Sequence, residues 1–175
     1  MSNKVSLTIV IPAYNEENNI SATIGLVIKA VRIAKIHDHK LIVVNDASTD
    51  KTKLIVEKIA IELDCVELIN NERNLGFGGS CKKGFKMSKT EYVMYCPGDN
   101  NHTVEDLIRI MSEIGKADIA STYRANAKTR NKYRVFLSNF NSKILNFMFG
   151  LKVPYYNGIT IYKKADLDEI QIVTN

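Results

Sequence analysis

The chain has 175 residues, 45% apolar and 25% charged, which is one domain's length and enough to bury a core, with the fractions of a soluble globular protein. No apolar run reaches the length of a membrane-crossing helix, and Met1-Ser2-Asn3-Lys4 leads straight into a strand without a signal-peptide pattern. The net charge of +5 is modest but polarised: Ile119 to Ala165 carries nine basic residues and no Asp or Glu, leaving the remainder net acidic.

Leu7 to Ile11 is a continuous, largely β-branched apolar run stopped by Pro12, which predicts a strand buried on both faces. Ala13 to Asn19 is polar with Tyr14 near its start. Ile20, Ile24, Val27, Ile28 and Val31 then mark the inner face of a helix that Asn15 or Asn18 would cap. Leu41 to Val44 predicts a second buried strand, ending in Asn45-Asp46-Ala47-Ser48-Thr49-Asp50. Ser48 or Thr49 would cap a helix from about Lys51 to Leu63, with Asp50 suited to its positive end. Val66 to Ile69 predicts a short third strand, and Asn70 to Gly79 a glycine-rich loop into a helix holding Lys82, Lys83 and Phe85.

Tyr92 to Cys96 has strand character and runs into a Pro97-Gly98 break, followed by Asp99, Asn100, Asn101 and His102. Asp99 is either a carboxylate delivered to the rim of a sheet, suited to a hard cation, or part of a turn before a helix capped by Thr103. That helix spans about Val104 to Ile114, with Leu107, Ile108 and Met111 inward, and Asp118 to Ser121 predicts a fifth strand. A basic loop, Arg124 to Arg134, leads into a helix over Val135 to Phe149 with little polar surface. It is either a core helix or one lying in a membrane interface. Gly158 to Tyr162 predicts a late strand.

The alternation of strand and helix with short connections predicts an α/β fold, a Rossmann-like, mainly parallel sheet flanked by helices. Four polar strand ends then share one edge: Tyr14 to Glu16, Asn45-Asp46, Asn74 to Gly79 and Asp99 to His102. Such a crevice can hold a nucleotide. The glycine turn of a dinucleotide dehydrogenase is missing after the first strand, and there is no Walker-type lysine loop. Cys65, Cys81 and Cys96 read as reduced, mostly buried thiols of a cytosolic protein. With His37, His39 and His102 they do not form a zinc spacing. The acid-free segment favours an anionic partner, either phosphate or anionic lipid; nucleic acid fits less well with the net acidic remainder.

Three motifs in order carry a resemblance. Ile11-Pro12-Ala13-Tyr14-Asn15-Glu16-Glu17, Val43-Val44-Asn45-Asp46-Ala47-Ser48-Thr49-Asp50 and Asn74-Leu75-Gly76-Phe77-Gly78-Gly79 resemble glycosyltransferase family 2, closest to its dolichyl- or polyprenyl-phosphate sugar transferases. The resemblance covers nearly the whole chain. It implies a GT-A fold as a single domain over 1–175, with a nucleotide-sugar part (1–122) and an acceptor- and membrane-proximal part (123–175). It implies nucleotide contacts at Pro12, Tyr14, Glu16, Asp46, Gly76, Gly78 and Gly79. A metal motif is implied at Pro97-Gly98-Asp99, with Asn101 assisting a Mg²⁺ or Mn²⁺ ion at Asp99. It also implies that Arg124, Arg134 and Ser138 meet the acceptor phosphate.

The function so implied is inverting transfer of a sugar from a UDP- or GDP-sugar to an acceptor, a polyprenyl phosphate, with Asp99, Arg124 and Arg134 as the catalytic residues. The setting is cell-envelope polysaccharide or glycan synthesis, in the cytoplasm at the inner face of the membrane, with peripheral membrane contact through 135–149 and no nucleic acid. A phosphate acceptor needs little base help. A hydroxyl acceptor would call on His102 or a carboxylate the sequence does not single out. Two departures bear on this. Asn45 stands where the family has Asp, and Pro97 replaces the first carboxylate of the metal motif. The latter keeps open a non-catalytic nucleotide- or membrane-binding module of the same fold. The resemblance also leaves room for acceptor-site residues or a membrane anchor beyond Asn175.

Overall fold

The computed structural model describes residues 5–123, 132–156 and 158–170. In chain order the elements are β1 (Ser6–Ala13), α1 (Ile20–Ile33), β2 (Asp38–Asn45), α2 (Thr52–Glu62), β3 (Val66–Asn70), α3 (Gly76–Met87), β4 (Tyr92–Tyr95), α4 (Val104–Met111), β5 (Ile119–Ser121), α5 (Lys132–Phe149), β6 (Thr160–Lys163) and α6 (Lys164–Glu169). They build one six-stranded sheet in the order β3-β2-β1-β4-β6-β5. The first four strands are mutually parallel, and β6 runs antiparallel to both β4 and β5. The expected α/β, mainly parallel sheet is therefore observed, with β6 as its reversed strand.

β1 lies at the centre because its sequence can be buried on both faces: every residue from Leu7 to Ala13 is buried. On one face α1 packs against α2 and α4 over Ile9, Ile11, Leu41, Val43 and Met94. On the other face α3 packs on β1 and β2 over Val10, Ile42, Val44 and Phe85. This second contact depends on Gly84, since a Cβ there would sit 2.3 Å from Val10 Cγ1. Only a glycine lets α3 come this close to β1.

The strand order decides where a ligand can enter. From β1 the chain steps outward through β2 and β3, then returns to the other side of β1 as β4. A parallel sheet opens a crevice at such a reversal, beyond the carboxyl ends of the two strands. The register sets what meets there. Ala13 pairs with Asn45 and Val10 with Tyr95, so the loops after β1, β2 and β4 leave the sheet side by side.

Some local expectations give way to long-range bonding. Neither Asn15 nor Asn18 caps α1; the residue before it is Asn19, without a side-chain cap. Asn15 instead accepts from Thr49 N at 2.8 Å. Ser48 and Thr49 do not cap α2, which starts at Thr52 with Asp50 accepting its first amide at 2.9 Å. Gly76 to Gly79 form the first turn of α3 rather than a loop. The Thr103 cap of α4 is present as a capping box with Asp106. In α5 the side chains of Phe136, Phe140, Phe147, Met148 and Phe149 are exposed, so among the described residues this helix is not a core element. No helix among them is long and apolar enough to cross a membrane.

Candidate nucleotide site

The crevice at the β1–β4 reversal is a cleft of about 220 Å³ lined by Pro12, Ala13, Tyr14, Glu16, Asp46, Phe77, Ser80, Pro97, Gly98 and Asp99. Four segments distant in sequence thus meet in one place: the ends of β1, β2 and β4 and the first turn of α3.

Asp46 is only 3% exposed yet lines the cleft. Its backbone N–H donates to Ala13 O at 2.9 Å, which ties the end of β2 to the end of β1. Its Oδ1 accepts from Asn71 Nδ2 at 2.7 Å and from Leu75 N at 2.8 Å. Two charge-assisted bonds hold this buried carboxylate in place, which an unpaired one would not tolerate. Asn45 does not line the cleft. Its amide donates to Asn70 Oδ1 at 2.8 Å and its carbonyl accepts from Ser48 N at 3.2 Å. Both ends of Asn45 brace neighbouring loops, a task that needs a donor and an acceptor, so a carboxylate there would lose one of them.

The loops after β1 and β2 interlock. Asn15 N donates to Ser48 Oγ (3.0 Å), Glu16 N to Thr52 Oγ1 (2.8 Å) and Glu17 N to Asp50 Oδ2 (3.0 Å). In return Lys51 N donates to Glu17 Oε2 at 3.0 Å. Asn15 (φ 56°) and Ala47 (φ 58°) adopt the left-handed conformation that this clasp requires. Burial pushes the Asp50 carboxyl up, but hydrogen bonds from the Thr52 hydroxyl, Thr52 N and Glu17 N outweigh it and hold the group below its ordinary 3.8. Tyr14 and Glu16 are carried to the cleft on this braced loop.

At the other end, Gly98 N donates to Pro12 O at 3.2 Å, and the buried Thr23 hydroxyl donates to Gly98 O at 3.0 Å. A Cβ on Gly98 would lie 3.2 Å from Pro12 O and 3.3 Å from Ala13 Cβ, so the turn after β4 is pressed against the end of β1. Asp99 Oδ2 accepts from Asn101 Nδ2 at 2.7 Å and Oδ1 from Asn101 N at 3.3 Å. Burial, and then the Asp99 charge, push the adjacent Cys96 thiol up to about 12, so it is not a nucleophile at neutral pH. Tyr95 is also pushed up to about 12, by burial first and by Tyr162 next, and its hydroxyl donates to Gly158 O. It is a brace rather than a base.

No cluster of three His, Cys, Asp or Glu suited to a metal occurs among the described residues. Asn101 turns its NH₂, a donor, toward Asp99, so Asp99 is the protein ligand this turn offers to a hard cation; Mg²⁺-type sites use one or two carboxylates and draw their other ligands from substrate phosphates and water.

Of the sequence-derived residues, Pro12, Tyr14, Glu16, Asp46 and Asp99 meet in the cleft, with Asn101 bonded to Asp99. Gly76, Gly78 and Gly79 do not line it, whereas Phe77 and Ser80 of the same turn do. Ser138 is half-buried on α5. Arg124 lies outside the described residues; Arg134 falls within α5, and its side chain is likewise outside them. Asn71, Ser80 and Lys83 are part of the site's framework and were missed. The Asn70-Asn71 pair in the sequence was the available hint.

Residues 8–170 match the family described as Glycosyl transferase family 2. The chain belongs to this family. An uncharacterised protein of Methanocaldococcus jannaschii is 30% identical over 78% of this chain and 58% of its own length. An undecaprenyl-phosphate 4-deoxy-4-formamido-L-arabinose transferase of Pseudomonas fluorescens is 29% identical over 80% of this chain and 40% of its own. Among solved structures, a Pyrobaculum calidifontis mannosyltransferase in complex with GDP-Man and Mn²⁺ superposes with a TM-score of 0.69 at 16% identity, over 96% of this chain and 47% of that one. The likeness shows the shared fold, the expected GT-A architecture. The chain spans about half the length of these relatives.

Proposed function

We propose that this chain is the catalytic domain, or most of it, of an inverting transferase that moves a sugar from a nucleoside diphosphate sugar to a polyprenyl phosphate. The observation that carries this reading is the cleft itself: a family 2 chain presents a buried, braced carboxylate, Asp46, and a more open one, Asp99, in one crevice. The base would meet Asp46, with Pro12, Tyr14 and Glu16 along the nucleoside and Phe77 and Ser80 of the Gly76–Gly79 turn beside it. The diphosphate would lie toward Asp99.

In the reaction an acceptor oxygen attacks the anomeric carbon from the face opposite the diphosphate. The new C–O bond forms as the old one breaks, and the bonding electron pair leaves with the nucleoside diphosphate. Asp99, with Asn101 turned to present its amide oxygen, would hold a divalent cation, Mg²⁺ or Mn²⁺, whose chemistry is to neutralise the charge growing on the leaving diphosphate. A phosphate acceptor is already anionic. What it needs is placement, and Arg124, Arg134 and Ser138 are the residues we assign to it.

The polyprenyl-phosphate acceptor is supported by the undecaprenyl-phosphate transferase relative and by the acid-free basic segment. The exposed phenylalanines of α5 support peripheral membrane contact through 135–149. On this reading 1–122 form the nucleotide-sugar part and 123–175 the acceptor part, working at the inner face of a membrane in cell-envelope polysaccharide or glycan synthesis.

Calorimetric titration of UDP- and GDP-sugars, with and without Mn²⁺, tests the proposal against Asp99→Ala. One donor should bind in a Mn²⁺-dependent way, and the variant should lose that dependence. Absence of binding by every donor under both conditions would overturn the proposal.

A further inference from the structure

Asp46 has two carboxylate oxygens, and they are in different states. Oδ1 accepts from both Asn71 Nδ2 and Leu75 N, which fills its two lone pairs. Among the described residues no group donates to Oδ2, although the side chain is 3% exposed and lines the cleft. The cleft therefore offers one anionic acceptor position where a symmetrical carboxylate would offer two.

The filling of Oδ1 is itself enforced from behind. Lys83 Nζ donates to Asn71 Oδ1 at 2.8 Å and to Asn70 O at 3.1 Å. An ammonium can only donate, so the Asn71 carbonyl must face Lys83 and its NH₂ must face the cleft side. That NH₂ serves Asp46 Oδ1 and, at 3.0 Å, the Oγ of Ser80, a residue with no solvent exposure. With one N–H on Asp46 and the other on Ser80, the Asn71 amide is fixed in this orientation. Asp46 and Ser80 both line the cleft.

We infer that the Lys83–Asn71 pair is a positioning relay that occupies one oxygen of Asp46 and so sets the site for uracil in preference to guanine. The inference rests on the proposed donor-nucleotide role of the cleft and names its base. Uracil presents one imide N–H, which matches one free carboxylate oxygen. Guanine's N1–H can meet the same oxygen, but its 2-amino group adjoins N1–H and needs the second carboxylate oxygen. That oxygen is full, so the amino group is buried without a partner. Cytosine places a lone pair, not a proton, against the carboxylate.

The test is calorimetry in the presence of Mn²⁺ with UDP, N3-methyl-UDP and GDP on the full chain, on Asn71→Ala and on Lys83→Met, with Lys83→Arg as the conservative control. The wild type should bind UDP about 10- to 100-fold tighter than N3-methyl-UDP or GDP, the span of a hydrogen bond to a charged group. Asn71→Ala frees Oδ1, so the UDP-to-GDP affinity ratio should fall by about 10-fold, a change that simple loss of fold would not produce. Lys83→Met should move the ratio the same way to a smaller extent, and Lys83→Arg should retain it, so the relay stays testable should Asn71→Ala not fold. GDP binding as tightly as UDP, indifference to N3-methylation, or a ratio unmoved in both Asn71→Ala and Lys83→Met overturns the inference while leaving the donor-site proposal standing. If neither UDP nor GDP binds the wild type, the donor-site proposal falls and takes the inference with it.

Discussion

Asp50 is one of the residues that join the two nucleotide-side loops, and Asp50→Ala measures what its share of that joint contributes. The carboxylate accepts from Glu17 N at 3.0 Å, from Thr52 N at 2.9 Å and from the Thr52 hydroxyl at 2.5 Å. The Thr52 hydroxyl in turn accepts from Glu16 N, so a second loop bond relaxes with it. Loss of the acceptor for the first amide of α2 costs about 1 kcal/mol by analogy with other helix caps. Water reaches this partly exposed site and replaces some of the remaining bonds, so the total is about 2–3 kcal/mol rather than the sum of three full charged bonds. For a domain of this size that corresponds to a fall in Tm of about 4–12 °C. Differential scanning calorimetry at neutral pH reads it directly. Asp50 is held below 3.8 in the folded chain, so its ionised form contributes fully above that value and the contribution fades as pH falls through the lowered pKa. The Tm gap between wild type and variant should be constant near neutrality and should close in acid below about 3.8. An unchanged Tm at pH 7, or a gap that widens in acid, would refute the reasoning.

Two further substitutions probe how the cleft is framed. Gly84→Ala drives a methyl to 2.3 Å from Val10 Cγ1, so the variant should be destabilised by about 1–3 kcal/mol through overpacking of α3 against β1, read as a lowered urea midpoint. Thr103→Ala removes the acceptor for Asp106 N at 3.1 Å and should cost about 1 kcal/mol of stability; UDP affinity should not change in the same titration series, because Thr103 does not line the cleft.

The sheet was legible because a strand buried on both faces leaves an uninterrupted apolar run, as in Leu7 to Ile11 and Leu41 to Val44. The helical face of α1 was legible for the same local reason. The caps of α1 and α2 were misread because Asn15, Ser48 and Thr49 are recruited across the sheet edge by partners more than 30 positions away. Spacing along the chain carries no trace of such bonds. The glycines at 76, 78 and 79 suggested a loop, but the turn they form packs as helix, and it is Phe77 and Ser80 that reach the cleft. Asp46 and Asp99, which both line the cleft, were legible because each follows a predicted buried strand and falls on a motif of the family resemblance. Asn71 and Lys83 were missed because their roles appear only when α3 folds back over the end of β3. The antiparallel placement of β6 between β4 and β5 likewise had no sequence signature.

Pro97 stands where the resemblance implies the first carboxylate of a metal motif, and placing one there discriminates between two accounts of the cation. Pro97 lines the cleft two residues before Asp99, in the turn that Gly98 N fastens to Pro12 O. In Pro97→Asp a second carboxylate joins the first. Without metal the two like charges repel, so the variant should melt below the wild type. With Mn²⁺ the order should reverse. A carboxylate and a unit charge about 4 Å apart at a protein surface attract by about 4 kcal/mol, and a divalent ion by more, before dehydration is subtracted. Even if dehydration removes most of that, a net of about 1.4 kcal/mol remains and tightens Mn²⁺ binding by about tenfold. Titration of Mn²⁺ at saturating UDP measures it, and a thermal scan with and without Mn²⁺ supplies the second readout. If Pro97→Asp lowers Tm equally with and without Mn²⁺ and leaves Mn²⁺ affinity unchanged, the ion is not held at the turn after β4. The charge on the diphosphate would then have to be met from the basic side of the molecule. If both readouts move as expected, the wild type holds its cation with one carboxylate, Asp99, and draws the remaining ligands from the nucleotide's phosphates and water.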